Sequence, residues 1–350
     1  MSLRLLTAMG GSQVGGAEAF FVTLNRAFKT RGVAVHAVLR NHPVHTADLD
    51  QAKIPYDTAR FGGPADLWTT SRLRKIARAF RPDVVLTFAG RASSHMPRGD
   101  YTLIGRLGGY YGLKYFRHCD YLVCNAPDLV RYVVEGGWRS ERVFHIPNFP
   151  RIEETPALDR ASLNTPEGMP LALALGRLHP NKALDVLVES AASIPDLWVW
   201  IAGEGKERTH LENLARDLGV SERVKFLGWR TDRAALFKAA DICVFPSREE
   251  PFGNVVIEAW AYGTPLVTTD SAGPAWLVRN GEDGIVTPVD DVEALAGGIK
   301  SLLSDPKLAT KLIDNGKGRI SEGFSEEAII SRYLDLMEGL RAKRDTQCAG

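Results

Sequence analysis

The sequence predicts two doubly wound α/β domains joined by one linker. Three observations carry this reading. Short apolar, β-branched runs alternate with stretches of helical period in both halves of the chain. A Pro-rich polar break separates the halves, and glycine-marked loops directly follow several of the apolar runs. Strands alternating with helices form βαβ units around a parallel sheet, and the default ligand site is the cleft between two such domains. A chain of 350 residues is long enough for two cores.

In the first half, "RLLTAM" (4–9), "VAVHAVLR" (33–40), "DVVLTFAG" (83–90), "YTLIGRL" (101–107) and "YLVCNA" (121–126) read as strands. "AEAFFVTLNRAFKTRG" places apolar residues at 20, 21, 24 and 28 on one helical face and stops at Gly32. "DLWTTSRLRKIARAFRP" is a second amphipathic helix, halted by Pro82. The stretch 149–168 is read as the linker between a domain over 1–148 and one over 169–322. In the second half, strands are expected at 171–176, 197–203, 224–228, 242–247, 265–270 and 284–288, with helices at 181–193, 207–219, 232–240, 254–262 and 291–304. The last segment, 323–350, contains one amphipathic helix over 325–344 with no strand after it.

Composition narrows the class. With 45% hydrophobic and 24% charged residues, and no apolar run of about 18, the chain reads as globular and not membrane-spanning. The start reads as a first strand and loop, not a secretory signal. The four cysteines, Cys119, Cys124, Cys243 and Cys348, lack zinc-ligand spacing and a paired framework, which predicts reduced thiols in a cytoplasmic protein. Charge is uneven. Residues 1–150 hold 20 Lys and Arg against 11 Asp and Glu, a net +9, while the remainder holds 23 against 31, a net −8. The first half is therefore expected to meet something anionic: nucleic acid, an anionic membrane surface or a phosphorylated acceptor. No recognition motif supports nucleic acid. Arg72, Arg74, Lys75, Arg78 and Arg81 surround one short helix, either as a solvated face or as a contact with anionic headgroups.

Four loops carry the candidate chemistry. Gly10-Gly11 and Gly15-Gly16 end a strand and open a helix, where backbone N–H groups bind anions. The spacing is not that of a dinucleotide fingerprint, and Arg40 ends the second strand where an acid would stand, so NAD binding is unsupported. Arg177 follows Gly176 and a buried strand, with Lys182 five residues later at a helix start, two cations suited to clamping a diphosphate. Gly203-Glu204-Gly205 turns a third strand end. Finally, "SREEPFGNVVIEAW" (247–260) sets Glu250 and Glu258 eight positions apart across a turn that opens a helix, with Asn254 expected as its N-cap. Helix-start amides near Gly253 and Asn254 suit hydroxyls or anionic oxygens, and the Glu258 carboxylate suits the vicinal hydroxyls of a ribose or sugar ring.

"GRLHPNKALDVLVES", "IAGEGKERTHLE", "VKFLGW", "AADICVFPSREEPFGNVVIEAWAYGTPLVTTDSAG" and "NGEDGIVTPVDDVEALA" occur in an order that resembles retaining glycosyltransferases of the GT-B fold, family 4. The resemblance extends from Gly15-Gly16-x-Glu18 to the final helix, and is looser in the first half. It implies two Rossmann-like domains facing a central cleft, with the last helix crossing back to the first. It also implies a metal-independent, retaining hexosyltransferase that binds a nucleotide-diphosphate sugar. UDP is the favoured base, with GDP and ADP open, and the acceptor is a glycan or lipid-linked glycan of the cell envelope, at the inner face of the cytoplasmic membrane.

By position, Arg177 and Lys182 would hold the diphosphate with help from the Gly15 and Gly16 amides. Glu258 would bind the ribose. Glu250 and the Phe252-Gly253-Asn254 backbone would grip the sugar, the base would lie near Gly228-Trp229-Arg230, and Gly176, Gly203, Glu204 and Val255 are further donor-binding candidates. Glu18, Arg106 and Tyr110 are the acceptor-side candidates. Many family members carry a His where this chain has Gly108-Gly109-Tyr110-Tyr111. Arg106 or a main-chain carbonyl is the candidate replacement, while His95 and His118 read as ordinary polar residues. A nucleotide-sugar epimerase on the same architecture, or a non-catalytic nucleotide- or glycan-binding protein, remain as alternatives.

Overall fold

The computed structural model describes residues 3–11, 15–63 and 66–349. They form two compact units, Met1–Asn148 with Glu326–Gly350, and Phe149–Ser325. The first holds a seven-stranded sheet of β1 (Arg4–Met9), β2 (Ala34–Leu39), β3 (Tyr56–Thr58), β4 (Val84–Phe88), β5 (Thr102–Leu107), β6 (Tyr121–Cys124) and β7 (Val143–His145), in the order β3-β2-β1-β4-β5-β6-β7. The second holds β8 (Leu171–Leu175), β9 (Trp198–Ala202), β10 (Val224–Gly228), β11 (Ile242–Phe245), β12 (Leu266–Thr269) and β13 (Ile285–Thr287), in the order β10-β9-β8-β11-β12-β13. All these pairings are parallel. Central strands β4, β5, β8 and β11 are buried along their whole length. Helices cover both faces of such a sheet, which is why these strands read as continuous apolar runs and not as alternating ones.

In each sheet the strand order reverses beside the first strand, between β1 and β4 and between β8 and β11. Crossovers on either side of that point run to opposite faces, so the loops at the carboxyl ends of those two strands part and leave a crevice. In the second unit these are the loops carrying Arg177–Lys182 and Ser247–Asn254.

Three features depart from the sequence reading. Strands β3 and β7 have three residues each, too few to show a period. Helices Pro43–Gln51, Ala89–His95, Pro127–Glu135, Ala272–Leu277 and Pro306–Arg319 are additional; three of them open with Pro at the first helical position, where its missing N–H costs nothing. The stretch 149–168 is no free linker but part of the second unit. Leu158 N donates to Ala235 O at 3.0 Å, Arg160 reaches Ala239 O and Asp241 Oδ1 at 2.8 Å each, and buried Trp200 donates to Thr165 Oγ1 at 2.8 Å. An irregular segment laid on a domain must satisfy its polar groups this way.

The terminal helix Glu326–Ala349 packs on the first unit. Tyr333 is fully buried, edge-on to Phe28 with ring centroids 5.7 Å apart, and its hydroxyl accepts from Arg106 Nε at 3.0 Å. Arg344 donates to Asp83 O at 3.0 Å. Cys119, Cys124 and Cys243 are free and buried; burial pushes the thiols of Cys119 and Cys124 up to about 12 and that of Cys243 up further, so none is a reactive thiolate. Replacing Tyr333 with Phe keeps the packing but leaves the buried Arg106 short of an acceptor. Urea unfolding of the first unit is expected to show a loss of about 1–3 kcal/mol.

Candidate functional site

Gly176 follows β8 and leads into Arg177, an exposed side chain with no ion pair among the described residues. Pro180–Lys182 makes a single tight turn, and Ala183 closes it in the left-handed region at φ 47°. A non-glycine residue held there costs about 1–2 kcal/mol, so the surrounding contacts dictate this backbone. The turn brings the Lys182 ammonium onto the Glu250 carboxylate, and both side chains are more than four-fifths buried. The Lys182 ammonium also lies 5.1 Å from the centre of the Phe245 ring, on the face that attracts cations.

Close backbone approaches hold the turn. Gly203, after β9, is packed so tightly that a Cβ on it would fall 1.8 Å from Gly176 O, so the glycine serves the Arg177 loop. Gly176 N donates to Ala202 O at 3.1 Å and Leu178 N to Glu204 O at 3.0 Å across the same seam. On the other side, Gly273 N donates to Glu250 O at 2.7 Å, and a Cβ on Gly273 would lie 2.3 Å from Phe252 O. Only glycine lets these chains meet.

Arg248, which the sequence reading passed over, ties the two loops together. Its guanidinium forks onto Asp185 at 3.0 and 2.7 Å, donates to Pro180 O at 2.8 Å and reaches Asp290 Oδ1 at 2.5 Å. Beside it, Arg248 N donates to Asn181 O at 2.9 Å and Asn181 Nδ2 to Glu249 Oε2 at 2.7 Å. One planar cation therefore fixes the Lys182 turn, the Glu250 turn and the loop after β13 in one register.

The helix Asn254–Tyr262 follows. Its N-cap is Gly253, in the left-handed region at φ 101°, and not the expected Asn254, which is the first helical residue. The chain must turn back sharply from Phe252 to start this helix, and glycine accepts that conformation where asparagine would strain. Phe252 and Val255 have buried side chains, with the Phe252 ring 6.1 Å from that of Trp276, so they offer backbone to a ligand. Glu258 is ion-paired with Arg233 from the helix Arg233–Ala239. Arg233 was also missed; nothing in its local sequence distinguishes it from a surface cation. The fork of Arg230 is closed by Asp232 at 2.8 and 2.5 Å, Glu204 pairs with Arg208 at 2.8 Å, and Trp229 stays exposed. Ser247 Oγ, fully buried two residues after β11, has no hydrogen-bond partner among the described residues.

The remaining candidates lie in the first unit. Gly15 is the N-cap of the helix Gly16–Thr30. Residues 12–14 of that loop lie outside the described residues. Glu18 folds back over the helix start, its carboxylate where a Cβ on Gly11 would stand, and so complements the helix dipole at the point proposed for anion binding. Arg106 is not presented to a ligand. It is 2% exposed, its guanidinium carbon 4.6 and 5.2 Å from the ring centres of Phe20 and Phe88, and it is engaged by Tyr333 and Asn148. Tyr110 is half exposed and donates to Asp128; partial burial and that carboxylate raise its phenol to about 12. His118 is exposed, whereas His95 is buried between Thr70 and Gly62 O, at 3.4 and 3.3 Å. The single Asp-x-Asp of the sequence, Asp48-Leu49-Asp50, lies inside Pro43–Gln51, where residues two apart face different directions.

Residues 157–319 match the family model described as glycosyl transferases group 1, and residues 14–153 match glycosyltransferase family 4. The lipopolysaccharide core biosynthesis glycosyltransferase LpsE of Rhizobium meliloti is 39% identical over 327 residues, covering 92% of this chain and 96% of that protein. The chain belongs to glycosyltransferase family 4. LpsD of the same organism, described in the same words, is 34% identical, covering 94% of this chain and 97% of LpsD.

Solved structures share the fold. HepE of Anabaena in complex with UDP and glucose superposes with a TM-score of 0.84 at 20% identity, covering 96% of this chain and all of that one. WaaG, a glycosyltransferase involved in lipopolysaccharide biosynthesis, gives 0.72 at 18% identity, covering 96% of this chain and all of WaaG. The two parallel-sheet units are thus those of a GT-B glycosyltransferase. Arg248→Lys keeps the charge but cannot bridge Asp185, Pro180 and Asp290 together. Hydrogen exchange of the amides in 180–185 and 248–252 is expected to speed up by about tenfold while β8 and β11 stay protected.

Proposed function

We propose that this glycosyltransferase moves a sugar from a nucleotide-diphosphate donor, a UDP-sugar in the first instance, to a glycan or lipid-linked acceptor, with retention of configuration and without a metal. The observation that carries the reading is the largely buried Lys182–Glu250 pair at the strand-order reversal of the second unit, with the exposed Arg177, which has no ion pair among the described residues, on the same loop as Lys182. An ammonium has three N–H donors and a carboxylate about four acceptor positions, so the pair retains capacity on both partners. Lys182 and Arg177 take the diphosphate, and Glu250 takes a sugar hydroxyl. Glu258, steadied by Arg233, takes the ribose hydroxyls, and the start of Asn254–Tyr262 supplies backbone N–H groups to the sugar.

Scission of the bond between the anomeric carbon and the phosphate oxygen leaves an oxocarbenium-like sugar and a phosphate bearing extra negative charge. Fixed cations on that phosphate stabilise the transition state more than the ground state, the role a metal fills in other transferases. The departing oxygen accepts the proton of the acceptor hydroxyl, which attacks the same face, and the configuration is kept. The names of LpsE and LpsD support an acceptor in the lipopolysaccharide core, and UDP in the HepE structures supports the choice of base. We place the reaction in the cytoplasm at the inner membrane face. Among the described residues no helix is long and apolar enough to cross a membrane, while Arg74, Lys75, Arg78 and Arg81 are exposed on or just after the helix Leu67–Phe80.

Lys182→Ala is expected to lower turnover by about 10²-fold or more; near-normal turnover would remove the clamp from the mechanism. Thermal shifts with UDP-, GDP- and ADP-sugars should rank UDP first, since a ligand of the folded state stabilises by mass action. Sedimentation with anionic vesicles should be salt-sensitive and should weaken in an Arg74→Ala, Arg78→Ala double variant.

A further inference from the structure

The first unit holds a second candidate site, at the ends of β2 and β3. Adjacent strands β2 and β3 are in register, Leu39 opposite Thr58, and each ends in an arginine: Arg40 directly after β2, and Arg60 two residues after β3. Together with Asn41, Thr58, Gly62, Asp66 and Trp68 they line a cavity of about 600 Å³ at the carboxyl edge of the sheet. The carboxyl edge is also the side on which the crevice of a doubly wound sheet opens, here between β1 and β4.

Neither Arg40 nor Arg60 has a carboxylate partner or a side-chain hydrogen bond among the described residues, so both guanidinium groups keep their N–H donors for a ligand. The acid in the wall, Asp66, forms an ion pair with neither among the described residues. Its oxygens accept from Thr69 N at 3.0 Å, Thr69 Oγ1 at 2.5 Å and Gly62 N at 2.8 Å, capping the helix Leu67–Phe80. Those hydrogen bonds hold its carboxyl down at about 2, so it stays ionised and engaged. Trp68 is 52% exposed, with the guanidinium of Arg60 over its ring at 5.4 Å and that of Arg72 at 5.6 Å. Arg72 is paired with Asp57 at 3.0 Å, so of the two cations over this ring only Arg60 lacks a carboxylate partner among the described residues, and the ring stays partly open to the cavity it lines.

We infer that this cavity binds an acidic sugar unit of the acceptor, its anionic group between Arg40 and Arg60 and its ring against Trp68. Arginine offers a planar fork to a carboxylate or a phosphate, and the flat indole face suits the C–H face of a pyranose. Asn41 and Thr58 are placed to meet ring hydroxyls. Phosphorylated and carboxylate-bearing sugars share this chemistry. The inference rests on the transferase reading given above and adds to it the class of acceptor.

Saturation-transfer NMR on the full chain with glucose 6-phosphate, glucuronate and methyl glucoside tests the inference. At least one anionic sugar should give signal and the neutral one little; which of the two does so identifies the anion. Arg60→Ala and Trp68→Ala should each weaken that binding about tenfold or more, and both positions are exposed enough for the fold to survive. UDP binding, measured in the same variants, should not change. Equal signals from neutral and anionic sugars, no signal from any, or variants that bind like wild type would overturn the inference, as would loss of vesicle binding without loss of sugar binding. If UDP fails to bind wild type while the anionic sugar binds, the donor reading fails and the cavity stands.

Discussion

A lysine and a glutamate can stay in contact at the edge of a pocket, with both side chains largely removed from water, only if the backbone beneath them is fixed. Otherwise each charge regains more from solvent than from its partner. In this chain that condition is met by Arg248, whose guanidinium bridges Asp185, Pro180 and Asp290 while its amide holds Asn181. The Lys182–Glu250 pair, the Gly253 turn and the start of the helix Asn254–Tyr262 all depend on that brace. Buried ion pairs add little net stability, so a pair held in this way is better explained by what it presents to a ligand than by its contribution to folding.

The brace in turn rests on the sheet. Strands β8 and β11 are neighbours with crossovers to opposite faces, and their carboxyl ends deliver the two loops to one crevice. Tight seams complete it. Gly203 lets the loop after β9 touch that of Arg177, and Gly273 lets the helix Ala272–Leu277 touch the Glu250 turn. Neither glycine needs to touch a ligand to matter. Each would place a methyl group inside a carbonyl if replaced by alanine, which would shift a loop that carries charge.

Much of this was legible in the sequence. Every strand of four residues or more was visible as an apolar run, because burial on both faces writes a continuous pattern. Arg177, Lys182 and Glu250 could be singled out as candidates because they lie in loops that follow apolar runs, and Glu258 because it stands about one turn into the helix that opens after one of those loops. What stayed hidden was pairing across distance. Arg248 and Arg233 look like surface cations until the fold brings Asp185 and Glu258 to them, 63 and 25 residues away. Arg106 was read as facing a ligand because it precedes Gly108, but Tyr333, 227 residues on, encloses it. The segment 149–168 looked like a linker because its hydrogen bonds run to partners that no local pattern announces. Residues Gly253 and Asn254 were confused as caps because the backbone sign that separates them is not written in composition.

The central claim is that Lys182, braced through Arg248 against Glu250, recognises the charge on a nucleotide's second phosphate. Calorimetry compares the nucleoside diphosphate that most stabilises the chain with its own monophosphate, in wild type and in Lys182→Met. The account predicts that wild type prefers the diphosphate by about tenfold or more, and that the variant loses most of this preference while binding the monophosphate nearly as before. An unchanged ratio of the two affinities in Lys182→Met would contradict it.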